Sequence, residues 1–256
     1  MSERHLVRTE SGDIEVLARG EGPSVVLVPS LGRGAEDFAD LSERLAAAGF
    51  RALAPNPRGI GGSTGPLEDL TMEQIAGDVL AVVHSLGTTP AVLVGHAFGN
   101  RVVRLAATLE PHAVDRVALL ACGGRVPPAP EVGAALLAVF DESLDADAHL
   151  AAVRLGFFAD GNDPAVWADG WYPAVASAQM AAQRQMDVST WWTAGRAEVL
   201  VVQPVDDLIA VEANALDILE QLGSRASMVR IDRAGHALLP EQPQAVADAL
   251  VTWLAR

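Results

Sequence analysis

Short runs of consecutive apolar residues recur along this chain, separated by segments whose apolar residues return every three or four positions. Residues 24–29, 51–54, 91–94, 116–121, 198–203 and 228–231 are the runs. Each is the length of a strand buried on both faces, as in a parallel sheet. The opening differs. Residues 5–8 and 13–17 alternate at period two around Ser11-Gly12, which predicts an antiparallel hairpin at a sheet edge. Helical spacing appears between the runs. Phe38, Leu41, Leu45 and Ala48 lie on one face before Gly49, and Ile75, Val79, Val82, Val83 and Leu86 on another before Gly87. Thr71-Met72-Glu73-Gln74 has the form of a capping box opening the second of these. Two more helices are predicted over 213–222 and from about Pro243, the last burying Val246, Leu250 and Trp253. Strand and helix in alternation mean a mostly parallel, doubly wound sheet.

The pattern breaks between about 124 and 196. This stretch reads as helical, contains Pro127, Pro128, Pro130, Pro164 and Pro173, and has no convincing buried strand. It holds Phe140, Phe157, Phe158, Trp167, Trp171, Tyr172, Trp191 and Trp192. We expect residues 1–123 and 197–256 to form the core. Residues 124–196 are expected to be an inserted helical cap, two or three of whose rings line a mostly apolar pocket.

Composition removes several classes of function. The formal charge of −15 argues against nucleic acid and anionic membrane as partners, because phosphate is held by clustered cations. All 18 basic residues are arginine. Without lysine there is no Schiff-base chemistry and no P-loop cation. The single cysteine, Cys122, permits neither an internal disulfide nor a thiolate metal cluster. No apolar run approaches the length of a membrane span, and the first residues lack a signal-peptide profile. A soluble, cytoplasmic protein is expected, with a small-molecule substrate, no cofactor and no metal. Oligomeric state is unreadable.

One stretch organises the rest. Residues 91–94 lead into Gly95-His96-Ala97-Phe98-Gly99, and helical spacing resumes at once through Arg101, Val102, Val103, Leu105 and Ala106. Strand, sharp turn and helix in this form resemble the Gly-x-Ser-x-Gly nucleophile elbow of the α/β-hydrolase fold. Other motifs follow the same superfamily in order: Pro29-Ser30-Leu31-Gly32, then Arg58-Gly59-Ile60-Gly61-Gly62-Ser63, then Ala234-Gly235-His236. The chain resembles that superfamily over nearly its whole length.

The resemblance implies that His236 is the general base and Asp207 its orienting acid, with Asp206 in reserve. Asp207 is preferred because Pro204 aligns with the glycine, and Val211 with the proline, that usually flank the acid. The backbone N–H groups of Leu31 and Phe98 correspond to the oxyanion hole. The departure is Ala97, where the superfamily carries its nucleophile; a methyl group attacks nothing. Ser30 stands where the superfamily usually has glycine and is reminiscent of plant hydroxynitrile lyases, although those retain the elbow serine. A solvent-facing or structural role is expected for it. Cys122 is read as a small hydrophobe before a substitute nucleophile. His96 is read as a packing residue, and Arg58 and Arg125 as solvated surface charges.

Three readings of Ala97 follow. The site works through a His236–Asp207 dyad, which removes a proton from substrate or water while Leu31 and Phe98 stabilise an oxyanion. Alternatively the chain is an inactive serine-to-alanine variant of an esterase, lactonase or carbon–carbon hydrolase. In the third, it is a non-catalytic binder that uses the cap pocket.

Overall fold

The structure is a computed structural model and describes residues 3–256. Eight strands form one sheet in the order β1-β2-β4-β3-β5-β6-β7-β8. The first two, β1 (Glu3–Arg8) and β2 (Asp13–Arg19), pair antiparallel, and β2 also runs antiparallel to β4 (Arg51–Pro55). All other neighbours are parallel: β3 (Ser24–Val28), β5 (Ala91–His96), β6 (Val114–Leu120), β7 (Glu198–Pro204) and β8 (Ala226–Ile231). The predicted hairpin and parallel sheet are both present, and the fold is that of an α/β hydrolase.

The parallel strands read as continuous apolar runs because helices cover both faces. On one face lie α2 (Met72–Leu86), α3 (Phe98–Leu109) and α7 (Glu212–Leu222), whose Val79, Val83, Val102 and Ile218 join one core with Val26 and Leu93. On the other, α1 (Ala39–Ala47) and α9 (Pro243–Leu254) bring Leu45, Leu250 and Trp253 against Leu27, Val94 and Val202. The Thr71–Gln74 capping box is formed in both directions and fixes the start of α2. The helix expected around Phe38 begins differently. Ala35–Phe38 is a 3-10 turn, and only then does α1 follow.

Chain order places the switch point of the sheet between β3 and β5. After β3 the chain moves outward to β4, then returns on the other side of β3 as β5. Loops leaving neighbouring strands on opposite sides of such a point open a crevice beyond their carboxyl ends. Between β6 and β7 lie α4 (Pro130–Ala138), α5 (Ala146–Phe157), a 3-10 turn at Pro164–Trp167, α6 (Pro173–Arg184) and a second at Val188–Thr190. The remaining short helix, α8 (Leu238–Glu241), follows the last strand. No helix of the described residues is long and apolar enough to cross a membrane.

Candidate active site

The turn between β5 and α3 is held by close backbone approach. A Cβ on Gly95 would lie 2.4 Å from the Gly99 carbonyl carbon and oxygen, and one on Gly99 would lie 2.2 Å from the Val28 carbonyl oxygen. Both distances are impossible contacts, so glycine is required at 95 and 99 by crowding. The left-handed backbone falls on Ala97 itself, with φ 51° and ψ −106°. A non-glycine residue in that region is strained. Its surroundings hold it there: the Ala97 N–H donates to Leu120 O (3.0 Å), and its carbonyl accepts from Asn100 N (3.0 Å). The buried Asn100 amide donates in turn to the Leu120 and Ala121 carbonyls, each at 2.9 Å.

Across the pocket, His236 Nδ1 lies 3.0 Å from Asp207 Oδ2 and 3.2 Å from Oδ1. Both side chains are buried. Asp207 Oδ1 also accepts from the backbone N–H groups of Ile209 and Ala210, each at 2.8 Å. An acceptor-only carboxylate facing Nδ1 fixes the proton there and leaves Nε2 bare. Asp206 is solvent-exposed and is not bonded to His236. The structure thus pairs His236 with Asp207.

The histidine loop is secured from three directions. Its Gly235 N–H donates to Glu241 (2.7 Å), which also accepts from Ala159 N and from Asn162 Nδ2, each at 2.7 Å. Burial raises the Glu241 pKa against these bonds. The Ala237 N–H donates to the Phe157 carbonyl at the end of α5 (2.8 Å). His96 Nε2 lies 2.8 Å from the His236 carbonyl oxygen, and since a carbonyl only accepts, His96 carries its proton on Nε2. Its pKa is held down to about 3, first by burial and then by the neighbouring His236. His96 is therefore a neutral, hydrogen-bonded support for the His236 backbone, more than the packing residue expected. The two residues are 140 positions apart, and no local pattern signals their contact.

A pocket of about 310 Å³ joins these parts. Ala97, Phe98, Ser30, Leu31, His236, Ala121 and Ile209 line it, with Arg101, Arg125, Leu136, Met180 and Gln183 toward the helices between β6 and β7. Phe98 is the first residue of α3, where an N–H has no carbonyl one turn back to bond. On the other side of the crevice, the loop after β3 is tied down by Gln179 of α6, whose Oε1 accepts from Gly32 N (2.8 Å). Of the two roles expected for Ser30, solvent-facing or structural, the first does not hold: Ser30 is buried against the pocket.

Two further expectations are corrected. None of the eight rings between residues 124 and 196 lines the pocket. Phe157, Trp167 and Trp171 instead pack edge to face with one another at 5.1 to 5.9 Å, a geometry that aromatic rings prefer. Trp167 and Trp171 also lie 4.4 and 4.5 Å from the buried Arg33 guanidinium. Trp191 and Trp192 flank the buried Arg104 in the same way, each at 4.5 Å. Arg58 is not a solvated surface charge. It is 4% exposed and makes a two-pronged ion pair with Asp78 at 2.7 and 2.9 Å, beside a separate cavity of about 40 Å³. Arg125 is exposed, as expected, and pairs with Asp217 at 3.1 Å. Cys122 is fully buried, burial raises its thiol pKa against the pull of Arg104, and it does not line the pocket.

Comparison with known proteins agrees with this architecture. Residues 25–249 match the model of the alpha/beta hydrolase family. The chain is 34% identical over 119 residues to epoxide hydrolase A of Mycobacterium tuberculosis, covering 45% of this chain and 37% of that protein. It is 33% identical over 103 residues to bifunctional epoxide hydrolase 2 of Sus scrofa, covering 40% of this chain and 19% of that protein. The matched stretches thus span well under half of these curated relatives. Among solved structures, an esterase from Exiguobacterium antarcticum superposes with a TM-score of 0.83 over all of both chains, at 18% identity. That likeness is one of fold.

Proposed function

Because the chain belongs to the alpha/beta hydrolase family, we propose that it is an enzyme acting on a small carbonyl-containing molecule through a His236–Asp207 dyad, without a covalent nucleophile on the protein. The observation that carries this reading is the buried His236–Asp207 pair, supported on every side and sharing a pocket with the blank Ala97. In the proposed reaction His236 Nε2 takes a proton from a water molecule as the water oxygen attacks the substrate carbonyl. The negative charge gathering on the carbonyl oxygen is held by the backbone N–H groups of Leu31 and Phe98. Collapse of the intermediate expels the leaving group, to which His236 returns the proton. The imidazolium formed between these steps is stabilised by Asp207. Residues 124–196 act as a cap that closes the pocket over the sheet's carboxyl edge.

Turnover of p-nitrophenyl acetate, p-nitrophenyl butyrate and small lactones by the chain, His236→Ala and Ala97→Ser tests this. The chain is expected to exceed buffer, with His236→Ala losing on the order of 10²–10⁴-fold. Intact-mass measurement should find no acyl adduct on the unsubstituted chain. A chain that is silent until Ala97→Ser raises turnover by several orders of magnitude would overturn the dyad in favour of a serine hydrolase lacking its nucleophile. Silence in both, with ligand binding unaffected by His236→Ala, would favour a binder.

A further inference from the structure

Most arginines near the site are already neutralised or enclosed. Arg33 is paired with Asp37 at 2.6 and 2.8 Å, Arg58 with Asp78, and Arg125 with Asp217. Arg104 is enclosed between two tryptophans and donates to the Asn100 and Gly123 carbonyls at 3.0 and 3.1 Å. Arg101 is different. It lies on the pocket wall, half-buried, and among the described residues it has no ion pair and no hydrogen bond. The Trp191 ring lies 5.6 Å from its guanidinium carbon.

From these placements we infer that the substrate bears a carboxylate, and that Arg101 holds it inside the pocket as the specificity-determining contact. This deepens the proposed function and rests on it for the reaction, but not for the binding. A half-buried guanidinium without a counter-ion is free to offer two parallel N–H bonds to a ligand carboxylate. Burial, and then Arg104, lower the Arg101 pKa to about 10, which leaves it charged at neutral pH. Among the described residues no acidic side chain lines the pocket, although the molecule carries a formal charge of −15. A positive pocket wall in an acidic protein focuses anions on that one place.

Position places that carboxylate near the reaction. Arg101 lies in the first turn of α3, which begins directly after Ala97, and both residues line the same pocket. A carboxylate held by Arg101 and the reacting carbonyl therefore share one cavity, as the two ends of the half-ester of a short dicarboxylic acid would.

Calorimetric titration of the full chain with monomethyl glutarate, which carries one carboxylate, against the neutral dimethyl glutarate decides the matter. The half-ester is expected to bind roughly ten- to hundredfold more tightly. That preference should collapse in Arg101→Gln, survive in part in Arg101→Lys and persist in Arg8→Gln, at an exposed side chain of β1. Circular dichroism and thermal unfolding of Arg101→Gln establish that it is folded. Equal binding of both probes by the unsubstituted chain would overturn the inference, as would a preference that survives Arg101→Gln. Dissociation constants do not depend on turnover, so loss of the dyad mechanism alone would leave this result standing.

Discussion

At the turn after β5 the backbone carries the arrangement. Gly95 and Gly99 are there because a single methyl on either would strike main-chain atoms, and Ala97 offers a left-handed φ with no reactive atom. At the loop after β8 the side chains carry it. Asp207 fixes the proton on His236, Glu241 gathers the backbone of the loop, and His96 reaches over from the elbow to bond the His236 carbonyl. The two regions therefore fail differently. A backbone-built site keeps its shape and its N–H donors when a side chain changes, whereas the histidine loop depends on which atom bears each proton. The His96 contact couples them, since one residue beside Ala97 supports His236 on the opposite wall.

The sharpest break in this comparison is one atom at Asp207. In Asp207→Asn the side-chain oxygen still accepts from Ile209 and Ala210, so the loop keeps its shape. The new amide donates to His236 Nδ1, moves the ring proton to Nε2 and removes the base. We expect turnover of the p-nitrophenyl ester panel to fall on the order of 10³-fold, about 4 kcal/mol. Asp206→Asn, at an exposed side chain, should stay within about twofold. Equal losses in both would mean that the pair is electrostatic only.

How much of this was legible along the chain depends on the range of the contacts. The sheet was, because strands covered on both faces are written as unbroken apolar runs. The elbow was too, because Gly95 and Gly99 flank Ala97 within five residues, and so was the order of acid and histidine. The rings of residues 124–196 were not. Their number suggested a pocket lining, but Phe157, Trp167 and Trp171 prefer one another and Arg33, which lies over 100 positions earlier. Arg58 looked like surface charge because its partner Asp78 is hidden on the buried side of α2. Arg101 was within reach, since it lies in the first turn of the helix that follows the elbow. What local pattern does not contain is that Arg101 lacks both the counter-ion of Arg33, Arg58 and Arg125 and the carbonyl partners of Arg104.

A smaller effect tests the coupling between the two regions. His96 is neutral in the folded chain, with its pKa lowered from 6.5 to about 3. The unfolded chain takes up a proton at His96 below about pH 6.5 and the folded chain does not. The stability this residue contributes is therefore fully present above the unfolded value and is lost as pH falls toward the folded one. Between pH 7 and pH 5 the loss amounts to about 2 kcal/mol. In His96→Gln, whose amide retains a donor for the His236 carbonyl, that part of the pH dependence should vanish. Urea unfolding midpoints of both proteins at the two pH values measure it. Parallel slopes would mean that His96 is protonated in the fold, and the contact with His236 would then need another explanation.

The smallest expected effect isolates the strain in the elbow. Ala97 sits at φ 51°, ψ −106°, a region that costs a residue with a Cβ about 1–3 kcal/mol and glycine very little. Ala97→Gly releases that strain, and it also gives the unfolded chain more freedom, which offsets about 0.4–1 kcal/mol. The balance is a gain of about 1 kcal/mol, read as a higher urea midpoint with unchanged slope. Since the Leu31 and Phe98 N–H groups belong to the backbone, the variant should keep whatever turnover His236 supports. A loss of stability would mean that the Ala97 methyl packs against the pocket wall more favourably than its backbone is strained, and the turn would then owe its shape to that side chain after all.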